Sequence, residues 1–429
     1  MNPNDSIAKV MESIIPSAKE ELSFSKTVSQ FLQNLSKIKI CTFILGGSGA
    51  KGTWLRGEFD VDVFARFDSQ YASRSAELAD LLEPQLKKFI RVKRVHGSRD
   101  YFEYRIKGQL YEIIPILKIS RPDQAQNLTD ISPLHVKWVQ KHRKLRNETR
   151  LVKAFMKSAR VYGAESYIKG YSGYVAEILT VHFGSFLAFL SGFPKLKEGT
   201  VIDISKWFKT QNDAYRFLNR SKLSPLIVLD PLQKERNAAA ALGRDQFLAL
   251  QQRCGEFLSS PSLDFFVRKK IVPADLKAST IAEYRKVFPC IVRSPPDAKI
   301  TILSMKAKLL DRKRDIAASK LQKALEFMAA SLKSQGYSVY DWNADYEDEA
   351  LAWIVVDPRP LSPVREMPGP PISLKQHVAK FKRKHKSTFI RSKRIFARQR
   401  RQSTLPREAV MLLLKHPYVK NCVRSITLL

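Results

Sequence analysis

The sequence predicts an α+β protein built from several domains, and three observations indicate this. Its 429 residues are enough for two to four domains, at about 100 to 200 residues each. Near the start, four apolar runs with strand character alternate with a helical segment around residues 76–89; the runs are KICTFIL, VDVFARF, YFEYRI and LYEIIPIL. From residue 132 to about residue 265 the pattern is mainly helical.

Four segments follow from these changes in pattern: head (residues 1–131), neck (132–270), body (271–360) and tail (361–429). The head starts with helix to about residue 36, and the neck contains GYSGYVAEILTVHFGSFLAFL as one buried helix. The body is predicted as a strand (PCIVRS), a helix that ends at Gly336 and two more strands (GYSVYDW and ALAWIVVD), an order typical of a small ferredoxin-like sheet. A proline-rich hinge, DPRPLSPVREMPGPPI, separates the body from a basic helical tail.

The charge balance indicates a polyanionic partner. Lys and Arg total 74 against 41 Asp and Glu, which gives a net charge of +33 and a pI of about 10.0. That excess is larger than solubility needs.

The chain shows no sign of export or of membrane insertion. It starts without the basic and apolar regions of a signal peptide, and its longest apolar stretch, residues 178–193, is shorter than the ~20 residues of a membrane helix. Four widely spaced cysteines fit no zinc pattern and indicate reduced thiols. We therefore expect a cytoplasmic protein without a membrane span.

The most informative stretch is GGSGAKGTWLRGEFDVDVFARF, residues 46–67, which joins a glycine-rich turn to two carboxylates. Asp60 and Asp62 alternate with valines, so both side chains leave the same face of a strand, roughly 7 Å apart at about 3.4 Å per residue. Such a pair must be solvated, share a proton or hold a cation. In the turn, Gly47 lets the main chain approach phosphate oxygens and Ser48 offers a hydroxyl donor. The combination favours a metal ion that carries phosphates over a D-x-D that arises by chance.

Glu112 is the candidate for a third carboxylate. It lies in QLYEIIPILKI, inside an apolar run where a carboxylate needs a partner. The alternative interpretation is that Glu112 is a glutamate at the edge of a sheet with its side chain in water.

Together these residues resemble the signature of the nucleotidyltransferase superfamily with the polymerase-β-like fold, which is an apolar residue, Gly-Ser, a spacer and D-h-D, where h is apolar. The segment GTWLRGEFDVDVFARF narrows the resemblance to the class I, archaeal-type CCA-adding enzymes, which are tRNA nucleotidyltransferases. The resemblance implies a polymerase-β-like head in which Asp60, Asp62 and Glu112 hold two Mg²⁺ ions. Glu112 stands where the family usually has aspartate. The implied activity is the addition of C, C and A to tRNA from CTP and ATP, with no nucleic-acid template.

Three later segments match the family in the same order and imply the nucleotide pocket. ISPLHVKW implies that Ser132 and His135 line it. LVKAFMKSARVYGAESYIKGYSGYVAEIL implies that Lys153 touches the triphosphate and that Tyr162 touches the sugar or base. VLDPLQKERNAAAAL places Arg236 where the family uses an arginine to select cytosine and adenine.

Two alternatives and two departures from the family apply to this pocket. One departure is Lys169, which precedes GYSGY where arginine is common. Lys153 is otherwise a solvated helix lysine, and Tyr162 a core tyrosine. Lys51 stands where many relatives have an arginine that contacts the triphosphate. A lysine keeps the positive charge there, but it cannot make the bidentate contact of a guanidinium.

The tail carries 16 Lys or Arg residues from Met367 onward against one acid, Glu408. Phosphate contact would release counterions from such a surface and drive binding. By the resemblance this end grips the tRNA elbow, and the candidates for RNA binding are Lys382, Arg383, Lys384, Arg391, Lys393 and Arg394. Two other functions stay open, a poly(A) or oligoadenylate polymerase and a non-catalytic RNA-binding protein with a decayed head. A homodimer also stays open.

Overall fold

The chain folds as two units in a computed structural model, Met1–Lys269 and Lys270–Leu429. The structure describes residues 3–58, 60–106, 108–288, 294–346 and 349–429. The finer division into head, neck, body and tail stays a prediction, and we keep these names for the segments.

A five-stranded sheet forms the centre of the head. Its strands are β1 (Thr42–Leu45), β2 (Val61–Phe67), β3 (Lys93–Val95), β4 (Tyr101–Ile106) and β5 (Gln109–Leu117). They lie in the order β1-β2-β5-β4-β3, and β2 and β5 are the parallel pair. The four apolar runs form β1, β2, β4 and β5, as predicted. Because Val61 and Val63 are buried on one face of β2, Asp62 lies on the opposite face.

The head segment also contains four helices: α1 (Pro3–Ile14), α2 (Ala18–Leu35), α3 (Gly47–Lys51) and α4 (Leu78–Leu86). Of these, α1 packs in the hydrophobic core of the neck through Val10. The helix expected up to residue 36 is therefore two helices with a break at Pro16. The residue before a proline is pushed out of the helical conformation, and Ser17 then caps α2 by accepting the N–H of Glu20 at 3.3 Å. Helices α2 and α4 pack on the buried face of the sheet.

The neck is mainly helical, as predicted, with one small sheet. Its helices are α5 (Ser132–Lys141), α6 (Arg146–Ser158), α7 (Gly173–Phe183), α8 (Phe186–Gly192), α9 (Gln211–Phe217) and α10 (Arg244–Ser259). Its strands are β6 (Thr200–Ile202), β7 (Leu226–Asp230) and β8 (Gln233–Asn237). The segment expected as one buried helix is broken, because Gly184 takes a left-handed φ of 80° and Ser185 caps α8.

Within the described ranges, no helix alone has the length and apolar character to cross a membrane, although a pair bent by 89°, Gly173–Phe183 with Phe186–Lys195, meets those criteria together.

The second unit contains a four-stranded antiparallel sheet. Its strands and helices are α11 (Ile281–Val287), β9 (Thr301–Lys308), α12 (Arg314–Gln335), β10 (Val339–Asp345) and β11 (Glu349–Val356), followed by the elements of the tail. Gly336 ends α12 with a φ of 101°, as predicted. The segment PCIVRS, expected as the first strand, lies largely outside the described residues, and the first strand of this sheet is β9.

The tail is mixed rather than helical. It contains β12 (Val364–Pro371), α13 (Lys375–Lys384), β13 (Thr388–Arg391), β14 (Arg394–Arg400), α14 (Pro406–Leu414), α15 (Pro417–Lys420) and β15 (Ser425–Leu428). Ile395 and Ala397 are buried in β14 between exposed arginines, a period of two that predicts a strand. Residues 364–371 of the expected hinge form β12, which lies at the edge of the sheet β12-β14-β13, where prolines cost no ladder hydrogen bond.

The end of the tail completes the sheet of the body. Strand β15 pairs with β9, so the order is β10-β11-β9-β15. With α12 and α14 this is the ferredoxin-like order of strands. The body and the tail therefore share one hydrophobic core.

Candidate active site

The carboxylate pair lies where β2 begins, against the short helix α3. Asp60 directly precedes β2 and is exposed, and Asp62 is half-buried within it. Gly47 has a φ of +54°, and a Cβ atom there would collide with Oδ2 of Asp62. The N–H of Gly46 donates to the carbonyl of Asp62 at 2.8 Å. Glycine at position 47 is thus required by both the backbone and the carboxylate.

Glu112 lies beside Asp62, because the parallel register of β2 and β5 pairs the two residues. On its other side, the register of β4 and β5 pairs Glu112 with Glu103. Three carboxylate residues therefore form a row across the sheet, at about 4.8 Å between strands. Burial, with a contribution from the charge of Asp60, raises the pKa of Asp62 to about 6, against the opposing effect of Lys51.

The row of carboxylates fits a hard divalent cation. In the part of the chain that the structure describes, no three His, Cys, Asp or Glu side chains converge closely enough to hold a metal ion as they stand. The donor atoms are nevertheless carboxylate oxygens, which such cations prefer. Burial is the main cause of the raised pKa of Asp62, and the charge of Asp60 adds to it, so the negative charge of the ionised carboxylate is poorly stabilised. A cation bound between Asp60, Asp62 and Glu112 would balance it.

A second cluster, the lysine cluster, is formed by Lys51, Thr53, Lys153 and Glu177. Glu177 on α7 is 1% exposed. Its Oε2 accepts from Nζ of Lys51 at 2.7 Å, and its Oε1 accepts from Nζ of Lys153 at 2.7 Å and from Oγ1 of Thr53 at 2.9 Å. Burial alone would raise the pKa of Glu177, and the two lysines overcome that effect and lower the pKa to about 2. Lys153 is buried and paired, so it is not a solvated helix lysine.

A third cluster, the aspartate cluster, is formed by His135, Tyr174, Asp230 and Arg236. Oδ2 of Asp230 accepts from Nη1 of Arg236 at 2.5 Å and lies 3.0 Å from Nε2 of His135. Oδ1 accepts from the hydroxyl of Tyr174 at 3.2 Å. Burial lowers the pKa of His135, although Asp230 opposes the shift. A neutral imidazole that meets an ionised carboxylate carries its proton on Nε2, which leaves Nδ1 as an acceptor.

Tyr174 joins the two clusters of the neck. Nζ of Lys51 lies 5.2 Å from the centre of its ring, and its hydroxyl reaches Asp230. Tyr174 and Glu177 are three residues apart on α7 and therefore share one helix face. One helix thus presents both clusters.

The remaining predicted residues lie nearby with fewer contacts. Ser132 begins α5 and is half-buried. Tyr162 lies against Gly173, where an added Cβ would come within 2.6 Å of the tyrosine hydroxyl, and Nζ of Lys157 lies 5.3 Å from the centre of its ring. Burial raises the pKa of Tyr162 to about 12, so its hydroxyl keeps its proton. Ser48 lies within α3.

Sequence reasoning missed Glu177 and Asp230. Glu177 lies in the apolar helix sequence VAEILTV, and the reasoning applied to Glu112, that a carboxylate among apolar residues needs a partner, would have identified it. Asp230 ends the apolar run LIVLD and carries the same signal.

The candidate RNA-binding residues lie in the second unit and are exposed. Lys382, Arg383 and Lys384 form the last turn of α13. Lys393 lies in the two-residue turn between β13 and β14, with Arg391 and Arg394 on either side.

Comparisons with known proteins fit this arrangement. Residues 147–267 match the model of the second domain of tRNA nucleotidyltransferase, and residues 301–426 match that of the C-terminal domain of the CCA-adding enzyme. The CCA-adding enzyme of Nanoarchaeum equitans is 31% identical over 385 residues, which is 89% of each chain. That of Thermococcus gammatolerans is 27% identical over 99% of this chain and 91% of its own. That of Methanosarcina barkeri is 29% identical over 82% of this chain and 76% of its own.

The fold and the site, with these matches, define a nucleotidyltransferase. More narrowly, the chain belongs to the family of CCA-adding enzymes, in its archaeal type, which confirms the resemblance identified from the sequence.

Proposed function

We propose that this protein adds C, C and A to the 3′ end of tRNA, with CTP and ATP as substrates and Mg²⁺ as the metal. The main support is the row formed by Asp62 and Glu112 across parallel strands, next to Asp60 and to a glycine turn that only Gly47 can make. In a head that had lost its catalytic activity, nothing would maintain both this row of carboxylates and the glycine that accommodates it.

The carboxylates would hold one or two metal ions through their oxygens, since Mg²⁺ is bound by one or two carboxylates and keeps sites for phosphate and water. When bound, the metal supplies Lewis-acid activation of the primer hydroxyl and balances charge on the pyrophosphate that leaves. The role of Asp60, Asp62 and Glu112 is to fix its position.

Lys51 and Lys153 would bind the triphosphate. Both ammonium groups are held by Glu177 on the same side of α7, and the low pKa of Glu177 keeps that carboxylate ionised. Ser48 in α3 supplies a hydroxyl donor for the same phosphates.

Arg236 would read the edge of the incoming base, while Tyr162, Ser132 and His135 line its pocket. A planar guanidinium suits this role because its donors have fixed directions.

The tail would bind tRNA phosphates through Lys382, Arg383, Lys384, Arg391, Lys393 and Arg394. These side chains are all exposed, so phosphate oxygens can reach their positive charges. The homodimer and the cytoplasmic location stay predictions from the sequence.

Three tRNA transcripts test the proposal, one that ends before the first C, one after the first C and one after the second C. Each is incubated with each nucleotide separately, with Mg²⁺ and with excess chelator. We expect C, C and A in turn, and no incorporation with chelator. An unrelated RNA of equal length is the control. Equal extension of that control with A alone would establish the poly(A) polymerase instead.

A further inference from the structure

Asp230 has no capacity left to bind a ligand. Its side chain is completely buried, and its carboxylate faces His135, Arg236 and Tyr174 through side chains and the N–H of Leu232, which donates to Oδ1 at 2.9 Å. A carboxylate has about four acceptor positions, and these four partners occupy them. Asp230 can therefore influence a nucleotide only through the groups that it holds.

Arg236 is the member of this cluster that a nucleotide can reach. Its side chain is 26% exposed, against 0% for Asp230. Within the described residues, its guanidinium donates to the protein through Nη1, which leaves the donors on Nε and Nη2 for a ligand. An arginine fixed at one corner of its guanidinium loses most of its rotamer freedom before the ligand arrives.

We infer that Asp230 is a positioning residue for base selection, which fixes Arg236 so that its remaining donors meet an acceptor on the base. This inference rests on the proposed function. Cytosine N3 and adenine N1 are acceptors, whereas uracil N3 and guanine N1 carry hydrogens that oppose an arginine donor. A guanidinium that is held in place keeps its donor facing the hydrogen of uracil or guanine and so disfavours these bases, whereas a mobile guanidinium can rotate away.

Tyr174 offers a mild way to disturb Asp230. Its hydroxyl donates to Asp230, and its ring packs against the imidazole of His135 with 4.1 Å between ring centres. Tyr174→Phe removes the donor and keeps the ring, so the fold is preserved even where Asp230→Asn disturbs it.

The test measures kcat and KM for CTP and UTP on a tRNA that ends before the first C. The variants are Asp230→Asn, Tyr174→Phe, Arg236→Ala and the double variant Asp230→Asn/Arg236→Ala. We expect the preference for CTP over UTP to fall by about 5- to 150-fold in Asp230→Asn, and by about two- to tenfold in Tyr174→Phe. The double variant should show the preference of Arg236→Ala alone, because Asp230 acts through Arg236.

Asp203→Asn is the matched control. Asp203 is a half-buried carboxylate of the same unit that accepts the N–H of Phe208 at 3.0 Å, and its change should leave the preference intact. A wild-type enzyme that selects CTP, with variants at Asp230 and Tyr174 that select it equally well, overturns the inference alone. Fully additive effects of Asp230→Asn and Arg236→Ala overturn it as well. A wild-type protein that adds U as readily as C overturns the proposed function together with the inference.

Discussion

The carboxylates of the head and those of the neck are organised in opposite ways. Glu177 and Asp230 in the neck are buried and saturated with donors from the protein. Among the described residues, no side chain donates a hydrogen bond to Asp60 or Asp62 in the head, and burial raises the pKa of Asp62. The difference separates two tasks. Saturated carboxylates hold protein groups in place, and an unbalanced carboxylate is ready for a cation from outside.

The contrast between the carboxylates of the head and those of the neck predicts the largest effect for Asp62→Asn. Incorporation should fall by about a thousandfold or more, because an electrostatic contact to the reacting charge is lost, while tRNA binding persists. In chelator the variant should be at least as stable as the wild type. Asp62 has a folded pKa of about 6, above its ordinary value of 3.8, so its ionisation costs stability as the pH rises through that range. Incorporation assays, filter binding and thermal melting measure these three quantities.

Asp68→Ala is the control for this variant, since Asp68 directly follows β2 and pairs with Lys118 at 3.0 Å on the surface. Near-normal turnover in Asp62→Asn would remove the carboxylate row from the mechanism.

Glu177→Gln should have the opposite effect on stability and lower the free energy of unfolding. Breaking a buried ion pair on one side costs about 3 to 5 kcal/mol, and here two lysines lose their partner. Glu198→Gln, which breaks an exposed pair with Arg244, should cost less than about 1 kcal/mol. Urea unfolding at pH 7 measures both.

The pH dependence of stability gives a second readout of Glu177. Its folded pKa of about 2 lies below its ordinary value of 4.5. Its contribution to stability is therefore complete above pH 4.5 and is lost as the pH falls toward 2. Glu177→Gln should lose this part of the acid sensitivity. An unchanged acid transition would mean that the lysine cluster does not stabilise the fold.

Lys51 lies between the two kinds of carboxylate, and its removal should affect substrate binding most. It pairs with Glu177 and also lowers the pKa of Asp62. A hydrogen bond to a charged group contributes about 1.5 to 3 kcal/mol, so Lys51→Ala should raise the KM for CTP by about 10- to 150-fold at saturating tRNA. Lys39→Ala, at an exposed lysine of the same unit, is the control. A KM equal to that of the wild type would exclude Lys51 from the triphosphate site.

The local features of the site were accessible from the sequence, and its long-range partners were not. The alternation in VDVFARF correctly predicted strand β2. The glycine-rich segment before it, predicted as a turn, contains the short helix α3, which Gly47 begins. By contrast, Lys51 and Glu177 are 126 residues apart, and His135 and Asp230 are 95 apart. No periodicity reports a contact of that kind, so even the overlooked signal at Glu177, a carboxylate among apolar residues, does not show which residue is its partner.

The errors in the second unit have a similar origin. Strand β9 alternates buried Leu303, Met305 and Ala307 with polar residues, a signal that was present and was overlooked beside the apolar run PCIVRS. The tail was predicted to be helical, although Ile395 and Ala397 follow a period of two. That β15 joins the sheet of the body depends on tertiary pairing with β9, which local pattern does not report.

The smallest expected effect extends the comparison from carboxylates to the cations of the tail. Deleting the tail cannot test tRNA binding, because α14 and β15 belong to the core and sheet of the body. Point variants can test it.

Among the described residues, Arg394 has no acidic partner, whereas Arg359 pairs with Asp357 at 2.5 Å. If unbalanced charges are the ones open to a partner, Arg394→Ala should reduce the slope of log affinity against log salt by about 0.9, and Arg359→Ala should leave it unchanged. Filter binding of tRNA across a salt series measures the slope. As a control, an acceptor-stem minihelix without the elbow should give equal slopes for Arg394→Ala and the wild type. Equal slopes for both variants on full-length tRNA would show that pairing within the protein does not decide which cations of the tail meet phosphate.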